Sequence, residues 1–284
     1  MVAAESRWLA AAEACARRLG GRLLELGDWL EATPPPVVVW WDEEGPALRG
    51  PPAGSAPRRP PPPGAVRPGR DPLLRALGKP IRGACVVDAT AGWGADAGVI
   101  AVAGAHVLMI ERSPVMALML EEALKRWRAA GLEAALRMEL RQADAAEALE
   151  SVGSADVVYL DPLFPGRTEG GRRRTEGGRR RTEGGGGRAE RGTSAAELRW
   201  LRSVASWGAT GVEAPLLAKA RSVATRRVVV KRARTDPPLE GQRPSGSISG
   251  RTTRFDLYAS TSEVAAVNEE PRAHVHAVDD DVGA

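Results

Sequence analysis

Val86-Val87-Asp88-Ala89-Thr90-Ala91-Gly92-Trp93-Gly94-Ala95-Asp96 is an apolar run that ends on a carboxylate, passes two glycines and enters a helical pattern. Gly92 and Gly94 let the backbone turn tightly and approach a ligand with no Cβ in the way. Asp96 falls in the first turn of the helix, where it can cap free N–H groups or reach a bound molecule. A strand, turn and helix of this kind bring amides and an acidic side chain up to a nucleoside cofactor.

Outward from this stretch the alternation continues. A strand at 85–90 leads to a helix from Gly94 to Val102, and a strand His106–Glu111 leads to a helix from Pro114 to about Ala129. A strand at 136–142, a short helix at 144–151 and a strand Asp156–Leu160 follow, then helices near 195–206 and 213–224 and the β-branched run 227–231. Strands spaced by helical patterns predict βαβ units in a mostly parallel sheet. The strands are continuous apolar runs, as expected when both faces are covered. Gly246–Gly250 and Arg254–Tyr258 read as a closing strand pair, and Asp71-Pro72 as the cap and first turn of a short helix.

The flanks differ in kind. Residues 1 to about 31 read as an alanine-rich helix or helix pair broken near Gly20-Gly21, followed by a strand-like run Val37–Trp41, so 1–44 forms a small N-terminal region. Residues 45–70 are mostly proline, glycine, alanine and arginine and read as a polyproline-like linker. An Arg-Thr-Glu-Gly-Gly repeat starts at Arg167, Arg174 and Arg181; it has no apolar seam, so 166–190 reads as a disordered insert. The main domain spans 71–260, and 261–284 forms a flexible tail.

Composition narrows the class. The 40 Lys and Arg against 36 Asp and Glu give a formal charge of only +4, so a nucleic-acid footprint must come from local clustering. Cys15 and Cys85 lie far apart, Cys85 at the start of an expected buried strand, which argues against a structural disulfide and for a reducing cytosol. No apolar run approaches membrane-spanning length, and a cytoplasmic location is expected. The three histidines share no metal-ligand spacing with the cysteines, so no metal is expected.

Four strand ends carry the chemistry. Asp88 suits a cofactor with cationic groups better than one with a pyrophosphate. Glu111-Arg112 stands about twenty residues past the glycines, where an acid accepts from both ribose hydroxyls or forms an ordinary surface ion pair. Asp144 can accept from an adenine amino group, with the Ala145 N–H as donor, or simply cap the next helix. Tyr159-Leu160-Asp161-Pro162-Leu163-Phe164-Pro165 puts a carboxylate, a carbonyl and an aromatic ring together. An exocyclic base amine is a poor nucleophile because its lone pair is delocalised. Asp161 and the Pro162 carbonyl can accept its hydrogens, while Phe164 stacks on the base. The residues therefore suggest methyl transfer from S-adenosylmethionine to an amine, which could be a base amine or a protein amide. A nicotinamide oxidoreductase is disfavoured by Asp88 with Asp161, and an inactive RNA-binding relative remains an alternative. Lys231-Arg232 and Arg254 are candidates to clamp an RNA phosphate.

Asp88–Asp96, Glu111–Pro114, Val158–Pro165, Ala224–Arg232 and Arg254–Tyr258, in that order, resemble the small-subunit ribosomal RNA guanine-N2 methyltransferases of the RsmJ type. The resemblance spans roughly residues 71–260. It implies a class I, Rossmann-like methyltransferase fold: α/β, doubly wound, with a mostly parallel seven-stranded sheet. It also implies S-adenosyl-L-methionine as donor and a guanine of 16S rRNA in the small ribosomal subunit as acceptor. Family cofactor contacts fall at positions matching Ala95-Asp96, Glu111-Arg112, Asp144-Ala145 and Asp161. The chain departs from the family pattern at Trp93, Ala95 and Asp144-Ala145, and before Asp71.

Overall fold

The structure, a computed structural model, describes residues 1–32, 37–50, 56–64, 71–162, 204 and 215–261. The N-terminal region opens with β1 (Val2–Ala3), then α1 (Leu9–Arg18) and α2 (Leu26–Glu31), the predicted pair separated at Gly20-Gly21. Next come β2 (Val38–Asp42) and β3 (Gly45–Arg49). The three strands form a sheet in the order β1-β2-β3, with β1 parallel and β3 antiparallel to β2. Trp29 and Trp40 pack with ring centroids 5.9 Å apart, and the Arg49 guanidinium lies 4.4 Å over the Trp40 ring and 5.0 Å over Trp29.

The linker expected over 45–70 is corrected by this sheet. Its first five residues are β3, with Ala47 and Leu48 buried, and Leu48 exchanges two 2.8 Å backbone hydrogen bonds with Arg58. Arg59 forms an ion pair with Asp42, and Pro60 is buried. Composition hid the strand because Pro46 sits in it; proline is tolerated there because β3 is an edge strand.

The main sheet begins after α3 (Pro72–Leu77), whose N-cap Asp71 accepts the Leu73 N–H at 2.8 Å, with Pro72 in the first turn. The elements then follow as β4 (Cys85–Asp88), α4 (Ala95–Val102), β5 (His106–Glu111), α5 (Pro114–Ala129), β6 (Met138–Gln142), α6 (Ala145–Ser151) and β7 (Ala155–Leu160). After the undescribed stretch come α7 (Leu216–Val223), β8 (Ala224–Ala233), β9 (Gly246–Ser249) and β10 (Thr253–Ala259). Seven strands lie in the order β6-β5-β4-β7-β8-β10-β9. All neighbouring pairs from β6 to β8 are parallel, and β10 runs antiparallel to both its neighbours. The chain starts at the centre with β4, moves out to β6, and returns to β7 on the other side of β4. That reversal opens a crevice at the carboxyl ends of β4 and β7, the usual ligand position in doubly wound sheets.

Alternating side chains build two cores. Val86, Val107, Met109, Val157, Tyr159 and Val229 share one face with α3, α4 and much of α5. Val87, Ile110, Val158, Leu160, Val228 and Val230 share the other with α6 and α7. Helix α5 is buried on two sides. Leu120, Ala123, Leu124 and Trp127 join the main core, while Val115, Met116, Leu118 and Met119 pack with Val39 and Leu48 of the N-terminal sheet. Both cysteines are free; Cys15 is buried, and Cys85 is the exposed first residue of β4, whose other three residues are buried.

Candidate cofactor and acceptor site

Four of the sequence-predicted acids stand at the carboxyl edge of neighbouring strands: Asp144 after β6, Glu111 ending β5, Asp88 ending β4 and Asp161 after β7. The glycine turn joins two of them. Gly92 (φ +53°) and Gly94 (φ +69°) occupy left-handed backbone, and a Cβ on Gly94 would lie 2.7 Å from Leu120 Cδ2. Gly94 donates to the Ala91 carbonyl at 2.7 Å and immediately precedes α4.

Glu111 fixes this turn. One carboxylate oxygen accepts the Gly92 N–H at 2.9 Å and the other the Ser113 N–H at 2.8 Å. Ser113 in turn caps α5, ahead of Pro114. Burial raises the Glu111 pKa above the usual carboxylate value, against the pull of the two amides. The surface ion pair considered for Glu111-Arg112 is not what holds this acid; it is 6% exposed. Arg112 follows, half-buried. Asp144 caps α6, its Oδ1 accepting from Ala146 N–H at 2.8 Å and Glu147 N–H at 3.4 Å; Ala145 is the first helical residue.

On the other side of β4 the donors are side chains. Asp96, beside Ala95 in the first turn of α4, does not cap that helix. Its Oδ2 accepts from the Tyr159 hydroxyl at 2.6 Å and from Lys231 Nζ at 2.7 Å. Lys231 also reaches Asp161 Oδ2 at 3.0 Å. The Asp161 N–H donates to Thr90 Oγ1 at 2.6 Å. Burial pushes the Asp161 pKa up while Lys231 pulls it down, and the net direction is upward. Asp88 lies beneath the turn, 1% exposed, with its Oδ1 accepting the Thr90 N–H at 3.2 Å. Burial, then the negative charge of Asp96, holds its carboxyl well above the usual range.

Pro162 follows Asp161, half-buried. Phe164, the repeat at 166–190, the helix near 195–206 apart from Val204, and the tail from 262 lie outside the described residues.

Three arginine and lysine assignments are corrected. Lys231 points into the acidic cluster, where two carboxylates compensate its partial burial. Arg232 is 4% exposed and donates to the Pro237 carbonyl at 2.6 and 2.9 Å. Arg254 forms a two-pronged pair with buried Asp256, at 2.8 and 3.0 Å. Sequence reasoning missed Thr90 and Tyr159. A tyrosine inside an apolar strand was the available signal, since a buried phenol needs a partner.

The edge thus gathers Asp96 and Asp161 around one ammonium, with Asp88 buried beneath a glycine turn clamped by Glu111. Such a pocket favours a ligand that carries net positive charge and presents hydroxyls to a carboxylate. Among the described residues no helix is long and apolar enough to cross a membrane.

Comparison with known proteins agrees with this geometry. Two relatives named ribosomal RNA small subunit methyltransferase J are similar to the chain. The one from Laribacter hongkongensis is 41% identical over 201 residues, 69% of this chain and 63% of its own. The one from Alkalilimnicola ehrlichii is 40% identical over 196 residues, 66% of each chain. The matches thus span just under two thirds of these relatives' length. A crystal structure of a SAM-dependent methyltransferase from Neisseria gonorrhoeae superposes with a TM-score of 0.58 at 23% identity, covering 92% of this chain and 96% of that one. It shares the fold. A family model described as "Putative SAM-dependent methyltransferase" matches residues 67–176 and 191–260, which include all four strand ends, and the chain belongs to that S-adenosylmethionine-dependent family.

Proposed function

We propose that the protein transfers a methyl group from S-adenosylmethionine to the exocyclic N2 amine of a guanosine in 16S ribosomal RNA, acting in the cytoplasm on the small subunit or its RNA. The observation that carries this reading is the junction of two halves at one sheet edge: the glycine turn with Glu111, and Asp161 next to Pro162, tied through Thr90. The names borne by the relatives support small-subunit ribosomal RNA as the acceptor, and the resemblance in the motifs supports its guanine N2.

The residues fit the cofactor. Gly92 leaves room for it, since a Cβ there would meet nothing nearer than 3.9 Å, and Gly94 lets the turn pack against Leu120. The carboxylates of Asp96 and Asp161 favour its cationic groups. Each Glu111 oxygen takes one amide, which leaves lone pairs for ribose hydroxyls. Asp144 caps α6 through Oδ1, so Oδ2 can take the adenine amino group, with the Ala145 N–H as complementary donor. Arg112 lines the ribose side, and Ala95 and Asp96 the amino-acid side. When bound, S-adenosylmethionine supplies an electrophilic methyl group on a sulfonium. Asp161 and the Pro162 carbonyl accept the hydrogens of the amine and aim its lone pair, and Phe164 stacks on the base. We assign this chemistry to residues 71–260, and acceptor selection to the N-terminal region and the arginine–glycine repeat.

The test is incubation of the protein with labelled S-adenosylmethionine and unmodified 30S subunits or 16S rRNA, followed by nucleoside analysis. N2-methylguanosine is the expected product. Label in adenine or in protein moves the acceptor, and no transfer beside a working control enzyme removes the reading.

A further inference from the structure

Lys231 joins the first turn of α4 to the residue that follows β7. Its ammonium lies 2.7 Å from Asp96 on α4 and 3.0 Å from Asp161 after β7. Tyr159 adds a second donor to the same Asp96 oxygen, and Thr90 holds the Asp161 backbone. We propose that Lys231 is a positioning residue that keeps the Asp161 carboxylate ionised and fixed until methyl transfer releases a proton to it. The proposal rests on the methyltransferase reading and gives Asp161 a second duty within it.

Charge balance supports the assignment. Asp96 and Asp161 against Lys231 leave one net negative charge, with Asp88 driven toward its neutral form by burial. S-adenosylmethionine brings one net positive charge. In the transfer, the amine lone pair forms the N–C bond and the C–S pair stays on sulfur, giving a neutral thioether. The N–H pair stays on nitrogen and the proton moves to Asp161, so the pocket ends as it began, without net charge. The groups facing Asp161 are Lys231 and Arg232 on β8, Asp96 on α4, Asp88 ending β4, and Tyr159 on its own strand. Arg232 acts on Asp161 through its charge, and Lys231 contacts it directly at 3.0 Å. Its own pKa is lowered by burial but raised more by Asp161 and Asp96, so it stays protonated throughout.

The experiment is the pH profile of single-turnover methyl transfer to 16S rRNA by the full chain. The wild type should lose rate as pH falls through the Asp161 midpoint. Lys231→Met should be at least about tenfold slower, with that acid limb moved up by roughly one pH unit. Lys231→Gln, which keeps a donor but not the charge, should shift likewise, and Lys231→Arg should restore the wild-type limb. A folded Lys231→Met that is slow but has an unmoved limb makes the lysine merely structural and overturns the proposal, as does Lys231→Arg shifting as far as Met. Whether or not these variants fold, carbon-13 carboxyl titration of the wild type decides as well. Asp161 should titrate below Asp88, and the reverse order overturns the assignment. An inactive wild type would instead remove the methyltransferase reading, while the carboxyl titration would still report on Lys231.

Discussion

On the β5–β6 side of β4, the acids are held by backbone amides: Glu111 by Gly92 and Ser113, Asp144 by Ala146 and Glu147. On the β7–β8 side, Asp96 and Asp161 are held by the Tyr159 hydroxyl and the Lys231 ammonium. The first arrangement is set by the chain path itself. The second depends on side chains that can be removed without redirecting the backbone. A cofactor needs a fixed cradle, whereas proton handling needs carboxyls whose affinity for a proton can be adjusted, and amides cannot be adjusted by mutation. In the proposed reading these two requirements are separated across one strand.

Substitutions can break or sharpen that contrast. The largest effect should come from Asp161→Asn, with methyl transfer falling by about 10²–10⁴-fold while S-adenosylhomocysteine titration changes little; equal loss of cofactor affinity would erase the division of labour. Glu111→Ala should do the opposite. It orphans two amides at about 1–3 kcal/mol each, so denaturant melts and cofactor affinity should both suffer. Tyr159→Phe removes one bond to a charged acceptor and should cost about 1.5–3 kcal/mol in the same melts, with the turn intact. Asp144→Ala, the loss of a helix cap, should cost about 1 kcal/mol.

The smallest is a slope. Because the folded pKa of Asp88 is raised, the native state binds a proton that the unfolded chain releases, so stability falls as pH rises from the unfolded value toward the folded one. Asp88→Asn should flatten that fall, with melting temperatures above wild type at pH 8 and converging with it near pH 4. Parallel curves for the two proteins would show that Asp88 is not the group responsible.

Much of this was legible in the residues. The helix at Pro114–Ala129 and the strand at His106–Glu111 occur at their predicted bounds, because Ser113-Pro114 starts the helix and the apolar run ends on a carboxylate. All four acids fall at strand ends as read, since period and turn chemistry are local properties. What was not legible is pairwise. Lys231 at a strand end looks the same whether it faces solvent or two carboxylates 70 and 135 residues away, and only the sheet order decides. Strand β3 was masked differently: its proline fits the linker composition around it, and its pairing with β2 comes from Ala47 and Leu48, two small contributions in a proline-rich stretch.

Helix α5, clasped between two sheets, carries a practical warning for dissection. Cutting at Asp71, where the proline stretch suggests a natural seam, would strip the cover from Val115, Met116, Leu118 and Met119. A fragment beginning there would bare a greasy stripe of the kind that drives aggregation. Insoluble truncations would then report a lost partner surface, not a defective catalytic half, and the shorter protein should be rescued by supplying residues 1–64 in trans.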